Sequence, residues 1–125
     1  MLTTIATVLA GMIGAAIIFM GTLAFWAPKA AAGFGIPHTP TEDPTFRAWL
    51  SVKAMRDMGL GVLLFVVLIA ATHQVLGWFM LAAAFIAVGD AAIVLRSKGP
   101  KATAYGVHAA TAAVMLAIGA LLLVA

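Results

Sequence analysis

The chain has 125 residues, of which 65% are hydrophobic and 9% charged, with a mean hydropathy of +1.16, whereas a soluble domain carries roughly a quarter charged residues. A water-soluble domain is thereby excluded, and the net charge of +3 sits at helix ends without the interleaved basic and aromatic residues of a nucleic-acid surface. Cys is absent, which removes disulfides, thiolate metal sites and cysteine nucleophiles.

The first apolar stretch, about residues 2 to 27, carries no charge and ends where Trp26 marks an interface and Pro28 stops the helix. No basic residue precedes it, so a retained first helix is expected and not a cleaved signal. Residues 28–45 hold Gly33, Gly35, Pro37, Pro40 and Pro44 with Glu42 and Asp43, too many breakers for a continuing helix. Within this long loop Phe34 and Ile36 can fold back onto the bundle or remain in a solvated connector. Helix two is expected over about residues 46–72. Its second half is apolar, but its first half carries Arg47, Lys53, Arg56 and Asp57. A turn at His73-Gln74 leads to helix three, about residues 76–95, closed by the basic stop Arg96-Ser97-Lys98-Gly99-Pro100. Helix four follows over about residues 102–124.

At about 20 apolar residues per crossing, four spans and their connections account for the length. The expected fold is a single all-α domain, residues 1–125, forming an integral membrane four-helix bundle. Lys29, Arg47, Lys53, Arg56, Arg96, Lys98 and Lys101, the complete set of basic side chains, fall at one end of it. Because short cytoplasmic loops hold the excess of Lys and Arg, that end is expected in the cytoplasm and both termini on the non-cytoplasmic side of the cell membrane. No internal repeat argues for an inverted-repeat transporter.

In lipid, helices associate through small residues and interhelical hydrogen bonds. Thr7, Gly11, Gly14 and Gly21 on helix one, Ala83, Ala87 and Ala91 on helix three, and Ala109, Ala113 and Ala117 on helix four read as packing faces. One of them can equally serve a homo-oligomer.

Asp57, Asp90 and His108 are the informative residues, because an ionisable group inside a span costs several kcal/mol unless paired, hydrated or protonated. At 1.5 Å per residue they lie roughly 15, 9 and 10 Å from Arg47, Arg96 and Lys101. They come from different helices at overlapping depths in the basic half, and converge if each faces inward. The structural reading is that Asp57 neutralises Lys53 or Arg56 while Asp90 pairs with His108 or a basic residue as interhelical glue. The functional reading is a polar chamber in which the carboxylates and a neutral imidazole exchange protons with a lipophilic ligand. Arg56 turned inward would partner Asp57 and bind an oxyanion; turned outward it would snorkel to the headgroups. Tyr105 is a proton donor or an interfacial aromatic. His38, Glu42 and Asp43 form a lid or an ordinary polar loop. The three histidines have no paired metal spacing, so neither a metal nor another cofactor is expected.

The ordered set Trp26-Ala27-Pro28, Gly33-Phe34-Gly35-Ile36-Pro37, Arg56-Asp57 with Gly59 and Gly61, Gly89-Asp90-Ala91 and His108 resembles a domain-of-unknown-function family of short four-helix integral membrane proteins found in bacteria and fungi. The resemblance spans nearly the whole chain. It implies the four-helix fold and a set of polar positions, Arg56, Asp57, Asp90 and His108, but no activity. In layout the chain is also similar to small membrane enzymes such as sterol and epoxide isomerases, an analogy of architecture alone. The leading expectation is binding of a small lipophilic molecule with acid/base chemistry, of isomerase or epoxide-opening type. Asp57 would be the acid or base, Arg56 its partner, and Asp90 with His108 a second proton-handling pair. The alternatives are a proton-coupled small transporter and a non-enzymatic scaffold or assembly subunit.

Overall fold

The computed structural model describes all residues 1–125 and contains helices but no strands. Helix α1 (Leu2–Trp26) is followed by a 3-10 segment (Pro28–Phe34), then α2 (Pro44–Ala70), α3 (His73–Arg96) and α4 (Lys101–Val124). One turn of α4, Ala104–Ala109, is π-helical. Helices α1, α3 and α4 are long and apolar enough to cross a membrane. Helix α2 is the longest at 27 residues, but Lys53, Arg56 and Asp57 interrupt its apolar character.

Local chemistry explains the boundaries. Pro28 removes a backbone donor and ends α1, but its fixed φ suits the first position of a new turn, so the long connection opens with a 3-10 helix. Asp43 caps α2, its carboxylate accepting the Phe46 N–H at 2.7 Å, and Pro44 occupies the first helical position. Thr72 caps α3 by accepting the Val75 N–H at 3.3 Å. His73 and Gln74 therefore belong to the first turn of α3, and the connection from α2 is shorter than their polarity suggests. Asp43→Ala removes a charge-assisted cap and is expected to lower stability by about 1 kcal/mol, read from chemical unfolding in mixed micelles.

The helices pack as two antiparallel pairs, α1 with α2 and α3 with α4, joined mainly by α1 against α4. The pairs are made by glycine. A Cβ added at Gly77 would sit 3.1 Å from the Gly119 carbonyl oxygen, and one at Gly119 would sit 3.0 Å from that of Gly77, so two backbones meet where neither has a side chain. In the other pair, a Cβ at Gly61 would lie 2.9 Å from the Gly14 carbonyl oxygen. The Gly77–Gly119 approach also sets the rotation of α4: Ala112, Met115, Gly119 and Leu122 turn inward, and the small residues Ala113 and Ala117 turn outward. On α3 the inward face does contain Ala83, Ala87 and Ala91.

The apolar core lies at the end of the bundle that holds the termini, built from Ala6 and Ala10 of α1, Leu64 of α2, Met80 and Ala84 of α3, and Met115, Ile118 and Leu122 of α4. Only 23 of 125 residues are buried, while Val62, Val66, Ile69 and Phe85 are more than half exposed. That outer surface matches hydrocarbon and not water, which marks the chain as a membrane protein. At the other end α2 and α3 touch along little of their length. There the loop packs Phe34 against His108 of α4.

Candidate functional site

The polar side chains of α2, α3 and α4 gather toward the basic end of the bundle, where α2 and α3 are in little contact. Asp57 is half-buried on α2 and accepts a hydrogen bond from Lys53 Nζ at 2.6 Å, one helical turn earlier. The Lys53 ammonium also lies 5.3 Å from the centre of the Phe34 ring, within the range of a cation–π attraction of about 1 kcal/mol. Phe34 reaches this position from the last residue of the 3-10 segment, and its ring tilts against His108 with centroids 4.4 Å apart.

His108 is buried on α4 inside the π-helical turn, where the Ala110 N–H bonds to the Tyr105 carbonyl. Ala104 and His108, four residues apart, both face inward, while Tyr105 and Val107 face outward. Nε2 of His108 lies 2.7 Å from the Phe34 carbonyl oxygen. A carbonyl can only accept, so Nε2 carries the hydrogen, and in the neutral imidazole Nδ1 keeps the lone pair. One loop residue thus fixes the tautomer of the buried histidine through its backbone and covers it with its ring.

Asp90, half-buried on α3, completes the group. It lies within electrostatic range of Lys53, His108 and Asp57. The side-chain hydrogen bonds and ion pairs of the chain leave it without a partner, and no buried polar side-chain atom of the chain is left unbonded. Its carboxyl oxygens are therefore not fully enclosed by protein.

Arg56 stands apart. Its side chain is exposed and its guanidinium bonds the Val52 carbonyl of its own helix at 3.3 Å, the outward arrangement. The cation beside Asp57 is Lys53. Tyr105 is 59% exposed on the outer surface, as an interfacial aromatic would be. In the loop, Glu42 pairs with Lys29 at 3.6 Å and Arg47 at 3.4 Å, Asp43 caps α2, and His38 lies away from the polar group, so none of the three closes over it.

Two surface depressions were found away from this group. One, of about 310 Å³, lies between α1 and α4 and is lined by Ile13, Val107 and Val114 among others; the other, of about 600 Å³, lies between the two basic-side loops. Neither is lined by Asp57, Asp90 or His108. No group of His, Asp and Glu is placed to hold a metal ion.

Sequence reasoning missed the Phe34 carbonyl and the π turn. Glycines flanking Phe34 were a signal that this aromatic needs close backbone approach: Gly35 has φ +108°, and a Cβ there would meet Val94 and Thr103 at 3.0 Å. The π turn had no such signal, since one residue added to a helical turn leaves no compositional mark.

No curated protein and no solved structure matches the chain. A family model described as a domain of unknown function, DUF4267, matches residues 14–122 and so takes in Phe34, Lys53, Asp57, Asp90 and His108. The chain belongs to that family.

Proposed function

We propose that the chain crosses the cell membrane four times, with both termini outside and the basic loops in the cytoplasm, and that the opening between α2 and α3 takes up a small lipophilic molecule and exchanges protons with it. The observation that carries this reading is Asp90, a half-buried carboxyl group inside an apolar helix that has no hydrogen-bond or ion-pair partner in the protein. Such a group costs several kcal/mol in hydrocarbon unless something hydrates, protonates or binds it.

The fourth crossing is supported by Trp49, 70% exposed near the start of α2, which matches Trp26 at the end of α1 and Tyr105 near the start of α4 as an interfacial belt. Lys53, Arg56 and Asp57 then lie just inside that belt, with Lys53 paired and Arg56 reaching outward.

Lys53 pairs with Asp57 while Asp90 has no cation in direct contact. Two carboxyl groups in unlike surroundings suit opposite halves of a proton transfer. One as the acid protonates an oxygen or alkene carbon of the ligand; the other, or Nδ1 of His108, takes a proton from carbon or water. Isomerisation and epoxide opening both fit this pattern. Arg56 as observed contributes outside the opening.

Native mass spectrometry of the chain purified from membranes tests the reading. Wild type is expected to carry a small lipophilic molecule besides bulk phospholipid, and Asp90→Asn to retain about ten-fold less, the loss of one hydrogen bond to a charged group. A wild-type chain free of any such molecule would sink it. The second reading, a scaffold or assembly subunit, draws on the Lys53–Asp57 and His108–Phe34 contacts, which satisfy those side chains internally. It predicts that Asp90→Asn leaves partner assembly unchanged.

A further inference from the structure

The 600 Å³ depression at the basic end is separate from the polar group of the spans. It forms where the long loop docks on the α3–α4 connection. Gly35 and Gly99 meet there so closely that a Cβ on Gly99 would strike the Gly35 carbonyl oxygen.

Lys98, His38 and Thr103 line the depression, and no carboxylate does. None of their side chains donates to another group of the protein. The acids on this face are already engaged, Glu42 with Lys29 and Arg47 and Asp43 with the α2 cap. Lys98, without an ion-pair partner, therefore leaves the depression with uncompensated positive charge.

The backbone adds a second observation. His38 and Lys98 are the two non-glycine residues with positive φ, both at 59°, and both line this depression. Lys98 ends α3 in a Schellman arrangement, with Lys98 N–H bonded to Leu95 and Gly99 N–H to Val94. Glycine is the usual residue at that position. A lysine held there in a disfavoured conformation points to a use for its side chain.

We propose that this depression seats a phosphate group, with the Lys98 ammonium supplying charge and the His38 imidazole and Thr103 hydroxyl hydrogen bonds. Its position at the helix ends, level with Tyr105, puts it at headgroup depth, so the phosphate is that of an anionic phospholipid or a soluble phosphate.

The test uses the purified full chain in micelles with added dioleoylphosphatidylglycerol or dioleoylphosphatidylcholine, and bound lipid counted by native mass spectrometry. Wild type should retain the anionic lipid over the zwitterionic one by about five-fold, the contribution of one basic residue at a charged interface. Lys98→Gly keeps the left-handed backbone and should abolish that preference while melting at or above the wild-type temperature. Lys98→Asn, which also tolerates this conformation, repeats the measurement with a polar side chain. Lys101→Gln removes a charge outside the depression and should leave the preference in place. Millimolar inorganic phosphate that displaces the anionic lipid, and raises the melting temperature of wild type but not of Lys98→Gly, would identify a soluble phosphate as the ligand. An unchanged preference in Lys98→Gly, or an equal loss in Lys101→Gln, would overturn the proposal.

Discussion

Gly61→Val is expected to destabilise the bundle by about 3 kcal/mol, while Gly59→Val on the same helix should change it little. A Cβ at Gly61 would lie 2.5 Å from Ile18 Cγ1 and 2.9 Å from the Gly14 carbonyl oxygen. The Ile18 side chain can move, but the Gly14 backbone cannot yield without separating α1 from α2. That separation would expose the tightest contact between the two helices and give up its dispersion energy, which lipid tails replace only in part. A Cβ at Gly59 meets nothing within 4 Å. Unfolding of both variants in the same micelles, with helicity as the readout, measures the contrast. Equal stability would mean that the α1–α2 approach is not what holds the pair together.

The second large effect is expected at Lys53. Lys53→Met removes the ammonium that lies 2.6 Å from Asp57 and leaves Asp57 and Asp90 as neighbouring carboxyl groups with no cation in contact. Breaking a fully buried pair from one side costs about 3–5 kcal/mol. Here the side chains are 51% and 34% exposed, so the expected loss is smaller, about 2 kcal/mol. The double variant Lys53→Met/Asp57→Leu should recover most of it, because it removes both charges and leaves no orphan. Unfolding of the two single variants and the double variant closes the cycle. If Lys53→Met is silent, Asp57 is stabilised by water or lipid headgroups and not by its helical neighbour.

The helices were legible because the membrane imposes a simple rule on sequence. Long uncharged runs, a proline after Trp26, and the Gly99-Pro100 stop mark the spans from composition alone, and α1, α3 and α4 lie where those signals put them. The start of α3 was read late, because His73 and Gln74 are polar and look like a turn. The Thr72 cap makes them the first helical residues. Helix α2, expected as a fourth crossing, has the length but not the uniform apolar character of the other three, and its charges pair within the helix or reach outward.

The site was legible as a set of residue types and not as a geometry. A lone Asp or His in an apolar run announces itself by its cost, so Asp57, Asp90 and His108 could be named from the sequence. The cation that serves Asp57 was left open between Lys53 and Arg56, and the four-residue spacing within α2 settles it on Lys53. The packing face of α4 escaped, since Ala113 and Ala117 are as small as Ala112 and only the Gly77–Gly119 approach selects between them.

The sequence by itself determined that the chain dissolves in lipid, where its helices begin and end to within a few residues, and which polar side chains must find compensation there. Those conclusions need only local information, the transfer cost of each residue and the propensities of its neighbours. Tertiary structure alone decided that Phe34 turns back to bond and cover His108 and that Asp90 is left without a partner. Each depends on the rotation of one helix against another, which is set by backbone contacts at a few glycines far away in the chain.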